Sequence, residues 1–224
     1  ILGGASNDVI AYAATADFVA GSAVVDTIDG EAGTGDAIHI SNNAGATFTL
    51  ANSDDLARIS NVEKITSVAT DQVISLTLHA DARADGFTTV DLSGDTDATS
   101  NNVINATAIT GGGMTLTGSA GIDTITGTAG VDIITGGTGA DIIAAGADND
   151  VIAYAATADF VVGTAVVDTV DGEAGASDTI LISNNGAAAF TVANTHDLAR
   201  ISNVETITSV ATDQVISLTL HADA

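Results

Sequence analysis

Between Gly118 and Ala153 the chain repeats itself every nine residues: GSAGIDTIT, GTAGVDIIT, GGTGADIIA and AGADNDVIA follow one another without a gap. Each unit carries Asp in its sixth place (Asp123, Asp132, Asp141, Asp150) and Ile in its eighth (Ile125, Ile134, Ile143, Ile152). The Gly-rich half can bend through backbone angles closed to residues with a Cβ, and Asp-x-Ile-x reads as a short strand with its Ile on one face. Turn and strand therefore alternate every nine residues, and units this small gain stability by stacking on one another.

A longer period encloses the short one. Residues 1–82 align with 143–224 at a constant offset of 142, with 65 identical positions and 17 differences. NDVIAYAATADF from Asn7 recurs from Asn149, and DLARISNVE from Asp55 recurs from Asp197. The expected organisation is the tail of one nonapeptide array over 1–11, an inter-array segment over 12–117, a complete array over 118–153 and a partial second inter-array segment over 154–224. Ile1 corresponds to Ile143, inside the third nonapeptide. The chain is therefore expected to be a window on a longer tandem series.

The inter-array segment is expected to be strand-rich. Val73–Leu78, Phe87–Leu92, Val103–Ala106 and Met114–Leu116 alternate apolar and polar residues and are separated by Asp, Asn and Gly, the pattern of strands joined by turns. Their spacing leaves no room for crossover helices, which favours a β-solenoid running into the array; a β-sandwich between arrays is the competing expectation. Asn52–Ile65 is expected to form a helix of at most three turns, capped by Asp54 or Asp55, because Leu56, Ile59 and Val62 have helix-like spacing. An extended run along a solenoid edge is the alternative.

Composition narrows the chemistry. The 224 residues contain no Cys, Pro or Trp, and 3% are aromatic, so the core must be built from small and β-branched aliphatics. Four basic residues face 29 acidic ones, of which four are Glu and the rest Asp, the residue of turns and compact cation sites. Uncompensated, a net charge of −25 opposes the compact state, so folding is expected to depend on a bound cation. A chain this acidic is a poor partner for nucleic acid, and no apolar run reaches the length of a membrane span.

The nonapeptide units resemble the RTX repeat family, whose unit is G-G-x-G-x-D-x-U-x with U a large aliphatic residue. The resemblance implies an all-β fold in which a right-handed parallel β-roll, two nonapeptides per coil, is stacked around Ca²⁺. Turn carbonyls and Asp carboxylates would be the ligands, which suits a hard cation that takes six to eight oxygens. On that pattern Asp123 and Asp141 share one edge, and Asp132 and Asp150 the other. The ligand set implied by the resemblance is Asp123, Asp132, Asp141 and Asp150, with Asp8 of the preceding array and the turn residues Gly118, Gly121, Gly127, Gly130, Gly136 and Gly139. The units depart from the pattern at the second place (Ser119, Thr128) and at the fourth (Asp148); Asp148 is either an additional ligand or the end of the roll. Val24–Ser41 and its copy Val166–Ser183 look like degenerate turns of the same kind. Asp26 and Asp36, copied as Asp168 and Asp178, are further candidate ligands there, as are Asp29 with Glu31 and Asp171 with Glu173; an ordinary polar hairpin turn is the alternative. Asp91, Asp95 and Asp97 fit either a cation site or simple turn capping.

No catalytic constellation is legible. The four His (His39, His79, His196, His221) lack metal-ligand spacing, and no nucleophile elbow is present. The resemblance is strongest to RTX-type bacterial S-layer or extracellular filament proteins, exported by type I secretion and found at the cell surface. It implies Ca²⁺ and further copies of the chain, in head-to-tail or lateral assembly, as partners, with cell-surface polysaccharide a further candidate partner through a region outside these residues. The stalk of an adhesin and the secretion module of an exported enzyme or toxin are the alternatives.

Overall fold

The computed structural model describes residues 1–41, 46–54, 56–68, 73–162, 165–183, 190–192, 198–209 and 216–218. Its strands are two to four residues long, and all but two short hairpins pair in parallel. The chain forms a β-solenoid: each coil lays one strand on a continuous nine-stranded sheet and at least one on a second sheet, then returns one strand spacing further along the axis. Among the described residues no sandwich intervenes between the arrays.

The nine-stranded sheet runs through Val9–Tyr12, Ala37–Ile40, Lys64–Ser67, Thr89–Asp91, Thr115–Thr117, Ile133–Thr135, Val151–Tyr154, Thr179–Ile182 and Thr206–Ser209. Its register places Ile10, Ile38, Ile65, Val90, Leu116, Ile134, Ile152, Ile180 and Ile207 one above the other. The intervals from Ile10 to Ile152 are 28, 27, 25, 26, 18 and 18 residues, so six coils make one 142-residue module. Only the last two have the length of two nonapeptides.

The facing sheet changes identity once per module. A three-stranded sheet, Leu2–Gly4, Ile28–Glu31 and Ile59–Ser60, stops where a seven-stranded one begins. The seven strands are Phe48–Leu50, Ile74–Thr77, Val103–Asn105, Thr124–Thr126, Ile142–Ala144, Thr169–Asp171 and Ile201–Ser202. For two coils both sheets are present, and those coils have three sides. The same hand-over starts again with Phe190–Val192 paired to Ile216–Leu218, 142 residues after Phe48–Leu50 and Ile74–Leu76.

Period-two patterning explains the core. In three-residue strands such as Thr124–Thr126 and Ile133–Thr135 only the middle side chain turns inward, and Ile104, Leu116, Ile125, Ile134 and Ile143 are at most 1% exposed. Their neighbours Ile133 and Ile142 point outward, at 49% and 50% exposure. The array therefore contributes a core one side chain deep from each sheet. The wider coils add aromatic side chains: Tyr12, Phe18 and Phe48 pack at ring separations of 4.9 and 6.1 Å, and Tyr154, Phe160 and Phe190 repeat the cluster.

The expected helix over Asn52–Ile65 is replaced by turns and two strands. Leu56, Ile59, Val62 and Ile65 are all buried at a spacing of three because the chain rounds tight solenoid corners there, returning a side chain to the interior every third residue. Asp54 accepts the Ala51 amide at 2.6 Å, so it caps a turn. Helix occurs instead as single turns at Thr15–Phe18 and Thr157–Phe160, which seat Phe18 and Phe160 in the core before each hairpin.

Candidate metal centre

The array's Gly-rich turns lie on the two edges where the chain passes between sheets, and each ends on an Asp. Asp123, Asp132, Asp141 and Asp150 are no more than 1% exposed. One carboxylate oxygen of each staples its coil to the one before. On one edge the amide of Asp123 donates to Asp141 Oδ1 at 2.8 Å and that of Asp141 to Asp168 Oδ1 at 2.8 Å. On the other, the Asp132 amide donates to Asp150 Oδ1 at 2.7 Å, the Asp150 amide to Asp178 Oδ1 at 2.7 Å, and the Asp178 amide to Glu205 Oε2 at 2.8 Å. The preceding copy repeats this: Asp8 donates to Asp36 Oδ1 at 2.6 Å and Asp36 to Glu63 Oε2 at 2.9 Å. These ladders run beyond the nonapeptides into the wider coils.

The other carboxylate oxygen points into the turn. A methyl group on Gly118, Gly127 or Gly136 would lie 2.5, 2.6 or 2.4 Å from Oδ2 of Asp123, Asp132 or Asp141, so in these three turns a Cβ would press on the carboxylate; the fourth unit holds Ala145 in that place. Gly121, Gly130 and Gly139 sit where the turn presses on the preceding coil: a methyl would lie 1.7 Å from Ser100 O, 2.8 Å from Gly112 C and 2.2 Å from Gly121 O. Carbonyl and carboxylate oxygens thus crowd into successive turns. The second oxygen of Asp123 accepts the Ser119 amide and, at 3.0 Å, its hydroxyl; that of Asp132 accepts the Thr128 amide at 2.6 Å and its hydroxyl at 3.0 Å. Oδ2 of Asp141, Asp150, Asp178, Asp36 and Asp8 is buried with no hydrogen-bond partner.

Burial raises the carboxyls of Asp123 and Asp132 above the ordinary range. Asp141 and Asp150 are pushed to about 7, by burial first and then by the neighbouring carboxylates, and Asp168 to about 6 by burial. A buried oxygen with neither a donor nor a counter-charge is costly.

A family model matches four consecutive units over 117–152, described as the RTX calcium-binding nonapeptide repeat. Residues 117–152 are RTX repeats. No curated protein and no solved structure matches the chain.

The RTX turns fit a hard cation: their orphaned donors are all oxygen, the chain has no Cys, and none of its four His lies in the array. Among the described residues no three acidic or His side chains converge, so a cation here would draw on one or two carboxylates together with turn carbonyls.

The other residues singled out by the sequence divide clearly. Asp168 is spent, its Oδ1 on the Asp141 amide and its Oδ2 on the Tyr154 hydroxyl at 2.8 Å; Asp26 takes the Tyr12 hydroxyl at 2.7 Å. Asp29 and Asp171 cap their turns, accepting the amides of Glu31 and Glu173, which sit at φ 64° and 61°. The side-chain amides of Asn61 and Asn203 also donate to them and hold both carboxyls below the ordinary range. Asp91 and Asp97 cap Ser93 and Thr99, and Asp95 binds the Asp97 amide and the Asn102 side chain, so turn capping accounts for all three. Asp148 is exposed with φ 71°. The 18-residue coils end with its unit, since the next interval, Ile152 to Ile180, is 28 residues, while the parallel stack continues past Asp148 through three more strands of the nine-stranded sheet. His39 meets the Thr66 hydroxyl at 2.7 Å, and His79 lies 3.2 Å from Asp81. His196 and His221 lie outside the described residues. Sequence reasoning missed Ser119, Thr128, Tyr154 and Glu205, whose partners are carboxylates or amides; the Glu205–Asp178 interval of 27 residues, a coil length, was the available signal.

Proposed function

We propose that the chain is a structural segment of a secreted or cell-surface protein, whose tandem 142-residue modules stack around Ca²⁺ into an extended rod and assemble with further copies into an S-layer or extracellular filament. The observation that carries this is the register. Ile10 and Ile152, equivalent residues of successive modules, lie on the same sheet six coils apart, so modules add along one axis without a break. Such repetition suits a spacer or lattice element and provides nothing that a catalytic site would need. In this reading Ca²⁺ is held at the turns ending in Asp8, Asp36, Asp141, Asp150 and Asp178, and the array over 118–153 and the segment over 12–117 act as one mechanical unit. The expected location is outside the cell, carried by the RTX repeats and not by composition. The test is electron microscopy of multi-module protein with Ca²⁺ and with chelator. Uniform fibres or a two-dimensional lattice in Ca²⁺ support assembly. Isolated rods with a distinct tip would show a stalk instead, and a single globular particle would refute the reading.

A further inference from the structure

The four RTX units differ in a way that the repeat pattern conceals. Where the second place is Ser119 or Thr128, the backbone amide of that residue and its side-chain hydroxyl, the latter at 3.0 Å, both bond Oδ2 of the Asp of its own unit, and both oxygens of Asp123 and of Asp132 are satisfied. Where that place is Gly137 or Gly146, at φ 107° and 116°, neither hydroxyl nor amide donates, and Oδ2 of Asp141 and of Asp150 is left without a partner on side chains 1% and 0% exposed. The wider coils show the same division. Tyr154 satisfies Asp168, whereas Asp178 and Asp36, both 0% exposed, have an orphaned Oδ2 against Gly175 and Gly33, each placed so that a methyl would lie 2.4 Å away. Positive charge follows the division in part: Asp123 faces the Asp95 carboxylate, but the other two satisfied groups each have an arginine. Arg83 acts on Asp132 and Arg200 on Asp168, while the charges acting on Asp141 and Asp150 are all carboxylates.

We infer that protein donors stand in for the cation: the hydroxyl and amide of Ser119 at Asp123 and of Thr128 at Asp132, and the Tyr154 hydroxyl at Asp168. Cation binding then falls on the turns ending in Asp141, Asp150 and Asp178, with Asp8 and Asp36 as the counterparts of Asp150 and Asp178 in the preceding module. Three of these five turns, at Asp8, Asp36 and Asp178, lie outside the matched RTX repeats, and two of the four RTX turns close without metal. A hydroxyl that donates to a buried carboxylate supplies the stabilisation of the charged form that a bound ion would otherwise provide, without recruiting a ligand. The inference rests on the proposal that the turns hold Ca²⁺.

The test counts Ca²⁺ bound per chain by equilibrium dialysis and follows Tb³⁺ luminescence as an independent readout, on the full chain. Asp→Asn keeps Oδ1 for the ladder and removes the charge. Asp141→Asn and Asp178→Asn are expected to bind fewer ions than the parent, and Asp123→Asn and Asp132→Asn the same number. In the opposite direction, Ser119→Gly with Thr128→Gly removes both hydroxyls and lets the backbone take the positive φ of Gly137 and Gly146, at which the amide no longer donates. It is expected to raise the number bound and to make folding more dependent on Ca²⁺, and this arm decides the matter even where Asp141→Asn fails to fold. Equal losses at Asp123 and Asp141, or no gain from the double Gly variant, would overturn the division while leaving calcium binding intact. A parent chain that binds no Ca²⁺ would overturn the calcium reading itself.

Discussion

Replacing Ile134 by Ala removes the inward side chain of a strand that has only one. Ile134 is 0% exposed and is held in register between Leu116 and Ile152. Its coil is 18 residues long, and the facing strands supply only Ile125 and Ile143 at the same depth. The backbone on either side is stapled by the Asp132–Asp150 ladder and cannot collapse into the space left behind. Truncation of buried Ile costs about 2–5 kcal/mol, with the upper half of that range where the site cannot relax. For a chain of this size about 3 kcal/mol corresponds to a fall in Tm of roughly 6–12 °C. The matching control is Ile133→Ala, the adjacent residue of the same strand and the same chemistry, but 49% exposed; its expected cost is about 1 kcal/mol. Thermal melts by far-UV circular dichroism in saturating Ca²⁺ measure both. Equal shifts for the two variants, or a larger one for Ile133→Ala, would refute the assignment of inward and outward faces and with it the two-sheet coil.

Three further outcomes are expected. In chelator, stability should fall as pH rises from about 4 to about 7: Asp141 and Asp150, pushed to about 7 by burial, keep protons in the folded chain that the unfolded chain releases above about 4. Urea midpoints at the two ends of that window would show it, and a midpoint that rises with pH without Ca²⁺ would contradict it; saturating Ca²⁺, which favours the ionised carboxylates, should reverse the slope. Gly137→Ala, at φ +107° with its Cβ 1.9 Å from Ser119 O, should destabilise by about 2 kcal/mol or more. Gly111→Ala, with nothing within 4 Å, should change Tm by little, and equal effects would contradict the turn geometry. Finally, each added module should lengthen a multi-module rod by about 28–29 Å, six coils at the strand spacing, measurable by electron microscopy or small-angle scattering.

Local periodicity was legible because it is a property of the chain itself. Asp-x-Ile-x with Gly before it makes a turn and a strand with one inward side chain wherever it occurs, and the strands at Ile74–Thr77, Thr89–Asp91, Val103–Asn105 and Thr115–Thr117 follow from the same alternation. The spacing of Leu56, Ile59 and Val62 misled because a helix and a run of tight corners both return a side chain to the interior every three residues. Only the position of the neighbouring coil distinguishes them.

By itself the sequence determined the nine-residue unit, the 142-residue module, the aliphatic core and the absence of room for crossover helices. The tertiary structure decided three things: where the facing sheet is exchanged, how six unequal coils make one module, and which carboxylate oxygens are satisfied. The physical reason is that each Asp in the ladders completes its hydrogen bonds with a residue 18 to 28 positions away, one coil along the axis. Asp123 and Asp141 occupy the same place in the same motif, yet one is closed by Ser119 and the other is left with a bare oxygen buried in its turn.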